Sequence, residues 1–120
     1  METKQAATPK WVSPFCVVCD SREIRPWTFL DLVITIDGRE HLVEQNTVRR
    51  GLKSGDYSIS GYEHLITIER KNPNDLIQSV TRNRKRFVHL LERMSNFRWS
   101  AIVVESNWDD LLRLCAAKTN

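Results

Sequence analysis

The chain has 120 residues, 41% of them hydrophobic and 28% charged, enough for one domain with a real core but too few for a catalytic unit plus a separate recognition domain. Its formal charge of +3 is modest, so affinity for a polyanion has to come from a local excess of cations rather than from the total. No apolar run approaches the ~20 residues of a membrane helix, and residues 1–7 lack an apolar signal core; an intracellular protein without membrane contact is expected.

Residues 1–13 are polar, include Pro9, and read as a flexible tail ahead of a single domain over 14–120. A first strand is predicted over about 15–19. It holds Cys16 and Cys19, which lie three apart and point to opposite faces of a strand, so they chelate a metal poorly and read as buried reduced thiols. Asp20-Ser21-Arg22-Glu23 follows, Pro26 breaks regular structure, and Trp27 and Phe29 read as loop residues anchored on the core. Residues 32–36 and 39–45 flank Asp37-Gly38, a two-residue hairpin signal, while Thr47 to Lys53 has no clear period.

Lys53-Ser54-Gly55 then turns the chain into a second hairpin, residues 56–60 against 65–69, with Gly61-Tyr62-Glu63-His64 between them. Symmetric closure sets Asp56 opposite Glu69 and Ser60 opposite Leu65. Tyr57, Ile59, Ile66 and Ile68 then share one surface, and Asp56, Ser58, Thr67, Glu69 and Lys71 the other. Opposed carboxylates repel unless a cation lies between them, and a hard dication such as Mg²⁺ suits oxygen ligands of this kind. An ordinary hairpin with a solvated acidic pair is the bland alternative.

Asn72 is placed to cap a helix with Pro73 at its first position, and the helix is expected to run to about Asn96. Leu76, Val80, Phe87, Leu91 and Met94 form its core-facing stripe, while Arg82, Arg86 and Arg93 form a second stripe beside it. That second stripe reads equally as a solvated face or as a contact to a phosphate backbone. Ser100 to Glu105 is predicted as a short buried strand, and Trp108 to Ala117 as a closing helix with Leu111, Leu112 and Leu114 inside. The order implies an α/β fold, a central mixed sheet flanked by helices.

An Asp followed by Glu-x-Lys is weak evidence alone, but its neighbours raise it. Cys19-Asp20-Ser21-Arg22-Glu23, Gly55-Asp56-Tyr57-Ser58-Ile59, Ile68-Glu69-Arg70-Lys71, Asp75-Leu76, Arg84-Lys85-Arg86-Phe87 and Val103-Val104-Glu105 together resemble the nuclease domain of the XPF family of structure-specific endonucleases, within the PD-(D/E)xK superfamily. The resemblance spans about residues 15–108 and implies a restriction-endonuclease-like core, here either a fragment lacking the family's last helix and strand or a compact stand-alone version, without the family's helix-hairpin-helix module. It implies a Mg²⁺- or Mn²⁺-dependent endonuclease acting on DNA, at branches or flaps in repair or recombination. Asp56 and Glu69 would be the principal metal ligands, Asp20 and Glu23 further ligands, and Lys71 the catalytic lysine, with Arg22, Arg70 and Asp75 completing the centre. Arg82, Arg84, Arg86 and Arg93 are expected to contact DNA, and a homodimer or an accessory DNA-targeting subunit is an expected partner. The competing class is a non-catalytic DNA-binding or dimerisation module of the same family. Retention of every acidic motif position and of Lys71 favours the enzyme.

Overall fold

In the computed structural model, which describes residues 7–119, alternation and turn chemistry produce six strands and three helices. Along the chain these are β1 (Lys10–Asp20), β2 (Val33–Ile36), β3 (Arg39–Arg50), β4 (Tyr57–Ile59), β5 (Ile66–Lys71), α1 (Pro73–Val80), α2 (Arg84–Met94), β6 (Trp99–Val104) and α3 (Trp108–Thr119). They form one mixed α/β sheet in the order β2-β3-β1-β4-β5-β6. β1 runs parallel to β3 and β5 to β6, whereas β2 with β3, β1 with β4 and β4 with β5 are antiparallel. The parallel β5–β6 pair requires a crossover, and α1 and α2 supply it.

The Asp37-Gly38 turn forms as expected, with both residues at positive φ (50° and 74°), the conformation that lets two-residue turns follow strand twist. Asn72 caps α1, its Oδ1 accepting from the Asp75 N–H at 2.8 Å with Pro73 just inside. The second hairpin adopts the expected register at Tyr57↔Ile68. One residue earlier the Asp56 N–H donates to the Ile68 carbonyl at 2.8 Å, so the ladder is irregular where the two chains diverge.

Burial centres on β1, β4 and β5: Val18 and Thr67 are fully buried and Tyr57 is 2% exposed, while Ile77 and Met94 are the buried apolar residues of α1 and α2. Both surfaces of the second hairpin are therefore covered, because Ser58 and Thr67 on the expected polar side are as buried as Tyr57. They are accommodated by bonding backbone: Ser58 Oγ donates to the Ile66 carbonyl at 2.6 Å and Thr67 Oγ1 to that of Ser54 at 3.3 Å.

Several expectations are corrected. β1 begins at Lys10, so residues 10–13 belong to the sheet, while residues 1–6 lie outside the described residues. Pro14 lies where four residues of β1 span two of β3, between Val12↔Glu44 and Cys16↔Asn46, a bulge that tolerates its missing N–H. β3 continues to Arg50 through the stretch that showed no period. The single helix to Asn96 is two helices broken at residues 81–83. The break has a local cause: Ser79 Oγ and Thr81 Oγ1 donate to the carbonyls four residues back, at 2.7 and 2.6 Å, and Thr81 leaves helical geometry at φ −118°, ψ −92°. Within α1 it is Ile77 rather than Val80 that is buried, and beyond the break Leu91 is exposed while Met94 is buried. β6 is an edge strand with exposed Trp99 and Val103, and Leu112 on α3 is half exposed rather than inside. No helix among the described residues is long and apolar enough to cross a membrane.

Candidate functional site

The end of β1 delivers Asp20, 3% exposed, to the floor of an open cleft of about 540 Å³. Both its oxygens are engaged: Oδ1 accepts from the Leu52 N–H at 2.9 Å and Oδ2 from Arg22 Nε at 2.8 Å. Arg22 Nη2 in turn donates to the Leu52 carbonyl at 3.0 Å, closing a ring that fixes the loop after β3. Burial opposes ionisation of Asp20, but these bonds outweigh it and hold the carboxyl below its ordinary range. The next turn brings Glu23 into the same cleft, its peptide held by the Asp20 carbonyl at 3.0 Å and by Arg49.

Asp56 enters from the start of the second hairpin. Its Oδ2 accepts from the Arg70 N–H at 2.7 Å, so the carboxylate is oriented by the main chain of β5. Gly55 makes this approach possible: at φ +77°, any Cβ would lie 2.2 Å from Thr67 Oγ1 and 3.0 Å from the Ile68 carbonyl oxygen. Glu69 and Lys71, two apart on β5, both face the cleft with Lys71 Nζ 3.5 Å from Glu69 Oε1. Across the crossover, Phe87 of α2 offers its ring to Lys71 Nζ at 5.9 Å from the centroid. Asp75 of α1 and Arg86 and Arg93 of α2 complete the rim.

The acids do not share one environment. Burial first, and then the charge of Asp56, raise Glu69 above the ordinary carboxylate range, more than Lys71 offsets. Burial and Asp56 likewise raise Glu23 against the pull of Arg70. The ionised forms of Glu69 and Glu23 are thus disfavoured by burial and by Asp56 more than Lys71 and Arg70 offset.

Arg70 departs from expectation. It alternates away from Glu69 and Lys71 and leaves the cleft, its guanidinium bonding Glu105 at the end of β6, the Arg25 carbonyl, and Glu23 at 3.4 Å. It lies 5.2 Å from the Trp27 ring centroid, and Trp27 stacks on Tyr57 at 4.3 Å and 14° while the Trp27 backbone N–H donates to the Tyr57 hydroxyl at 2.7 Å. Glu105 is held below its ordinary range chiefly by the Arg70 hydrogen bond. Arg70 therefore braces the site from behind, reaching the cleft only through Glu23 and through its own peptide N–H.

Arg82 lies on an adjoining groove rather than in the cleft, and Arg84 is exposed outside the cleft lining. Lys53, Gln78, Asn83 and Phe87 line the cleft without having been singled out as site residues. Only Lys53 carried a signal, a cation one turn before Asp56. Glu105 belonged to the matching sequence stretches but had no assigned role; its place follows from the parallel register Lys71↔Val104, which sets it one step past Lys71.

Among the described residues no three His, Cys, Asp or Glu side chains are arranged to hold a metal ion together, so Asp20, Glu23, Asp56 and Glu69 do not form a ready cage. Each is engaged by a protein donor: Asp20 by Arg22 and Leu52, Glu23 and Asp56 by Arg70, and Glu69 by Lys71. The donor set still suits a hard dication. It is all oxygen, two of its carboxyls are raised by burial and by Asp56, and Mg²⁺ is characteristically held by one or two carboxylates with water and phosphate completing its shell.

A comparison with protein families matches the ERCC4 domain to residues 19–120. No curated protein and no solved structure matches the chain.

Proposed function

Because the chain belongs to the ERCC4 domain family, the XPF-type nuclease domain whose members are generally nucleases acting on DNA, we propose that this cleft hydrolyses phosphodiester bonds in DNA with a divalent cation, internally and next to branches or flaps. The observation that carries the reading is the convergence of Asp56, Glu69, Glu23 and Lys71 in one cleft with arginines at its rim. Asp56 and Glu69 would hold Mg²⁺ or Mn²⁺, with Glu23 released from Arg70 as the next available oxygen donor. Bound there, the ion supplies polarisation of the scissile phosphate and a lowered pKa for its water.

The remaining work falls to the chain. Lys71, kept beside Glu69 by their ion pair and beside Phe87 by its ring, holds a positive charge where charge builds up on phosphorus, and is placed to orient the attacking water. Arg86 and Arg93 hold the flanking phosphates so that the bond to be cut lies over the acids. Arg22 is fixed by Asp20 and presents its exposed side chain at the same mouth. Asp20 acts by positioning, since its oxygens are committed to Leu52 and Arg22.

Incubating the purified protein with labelled duplex, single-stranded, flap and junction DNA in Mg²⁺, Mn²⁺ or EDTA tests the proposal. Metal-dependent internal cleavage that Asp56→Asn and Glu69→Gln abolish is the expected result. Cleavage that survives both substitutions overturns the assignment of the centre, and binding without cleavage in either metal supports the non-catalytic module instead.

A further inference from the structure

Beside the cleft, on the outer flank of α2, runs a second groove of about 570 Å³ lined by Arg82, Asn83, Lys85, Arg86, His89 and Arg93. Three of these, Asn83, Arg86 and Arg93, also line the cleft, so the two cavities share a wall. The cations are concentrated here: residues 82–93 contain five Lys or Arg and one acid, Glu92, a net +4 where the whole chain nets +3. Glu92 is turned toward His89, at 3.4 Å from its Nδ1. Arg86, His89 and Arg93 recur at intervals of three and four along α2, the spacing that stacks side chains on one helix face, and Arg82 joins their lining from the break just before that helix.

We infer that this groove is a sequence-independent seat for the sugar-phosphate backbone of a duplex arm leading into the cleft. The inference rests on the nucleic-acid part of the proposed function and extends it to a surface outside the cutting centre. Three features favour it. The shared wall makes the groove a continuation of a site built for a phosphodiester. The lining offers exposed guanidinium and ammonium groups, which answer phosphates rather than base edges. It offers no Phe, Tyr or Trp, the platforms on which unstacked single-stranded bases are held, so it suits a strand whose bases are still paired. The eleven residues of α2 extend about 16 Å, the axial rise of roughly five base pairs.

The test is binding without turnover. In EDTA, the affinity of the full chain for a fluorescent 20-base-pair duplex and for one of its strands is measured by anisotropy between about 50 and 200 mM salt, for the wild type and for an Arg82→Ala/Lys85→Ala double variant. Removing two phosphate contacts should weaken duplex binding about tenfold at the low-salt end and reduce the slope of log K against log salt by about 1.8. Single-strand affinity should fall less than about threefold, and Arg82→Lys/Lys85→Arg should behave as the wild type. Unchanged duplex affinity and slope would overturn the inference, as would equal losses for duplex and single strand. Absence of cleavage in any metal would count against the nuclease reading alone, since this measurement needs no catalysis.

Discussion

Glu69 and Arg70 are neighbours in the chain yet belong to two regions with opposite electrostatic character. On the cleft side of β5, Glu69 and Glu23 are pushed above the ordinary carboxylate range by burial and by Asp56. Behind it, Arg70 and Glu105 satisfy one another, and Glu105 is pulled below that range. One region holds carboxylates whose ionised forms their partners leave under-compensated, and the other holds charge that is paired, stacked on Trp27 and tied to two loops. Under-compensated charge is what a ligand can use, whereas compensated charge is what a scaffold needs. Period-two alternation lets a single strand carry both, because successive side chains face opposite ways.

Neutralising the cleft side should separate activity from stability most sharply. Glu69→Gln and Asp56→Asn are each expected to lower cleavage by at least about 10²-fold, the scale on which loss of one preorganised electrostatic group reads out. Thermal stability should be unchanged or slightly raised for Glu69→Gln, since that carboxylate is ionised against burial and Asp56. A large fall in melting temperature with Glu69→Gln would mean that the acid is structural and the contrast is false.

Arg70→Met should give the reverse pattern, destabilising the fold by about 1–3 kcal/mol because Glu105 and Glu23 lose a charged hydrogen-bond partner, with solvent at the 36% exposed Glu105 screening part of the loss. Arg70→Lys keeps the charge but not the planar fork, and should recover only part of the loss. Chemical denaturation measures both. Stability unaffected by Arg70→Met would remove the bracing role. Part of the fall in cleavage that accompanies it should be restored by adding a stabilising osmolyte, which Glu69→Gln would not show.

Acid should divide the two regions again. Glu23 and Glu69, with raised values before a cation binds, take up protons first as pH falls, so protons compete with the cation and cleavage weakens, while protonation of these two groups adds stability. Asp20 and Glu105, with lowered values, contribute stability above their unfolded values and lose it only as pH falls through their lower folded ones. Activity should therefore fail at a higher pH than the fold does, as parallel titrations of cleavage and circular dichroism would reveal. Coincident midpoints would contradict the division.

Much of the cleft was legible because its signals are local. Alternation fixed the register of the second hairpin, and Asn72-Pro73 and Asp37-Gly38 carried their own turn chemistry. The helix break was harder, since Ser79 and Thr81 donate to main-chain carbonyls four residues back without interrupting the apolar spacing that suggested continuity. Arg70 is instructive in a different way. The same alternation that placed Glu69 and Lys71 together sends Arg70 to the opposite side, but the motif groups all three, and its partner Glu105 lies 35 residues away. Long-range ion pairs of this kind leave no period in a sequence.

The smallest effect should come from a contact between the crossover and the cutting centre. Lys71 lies between Glu69, at 3.5 Å, and the Phe87 ring, at 5.9 Å from its centroid. A cation–π contact at a partly exposed site contributes about 0.5–1 kcal/mol. Phe87→Leu keeps an apolar side chain of similar bulk and removes the ring face, so cleavage should fall only about two- to fivefold, through kcat rather than KM. Phe87→Tyr should retain the wild-type rate. If Phe87→Leu leaves kcat intact, Glu69 alone positions Lys71, and α2 serves the cleft only through its arginines.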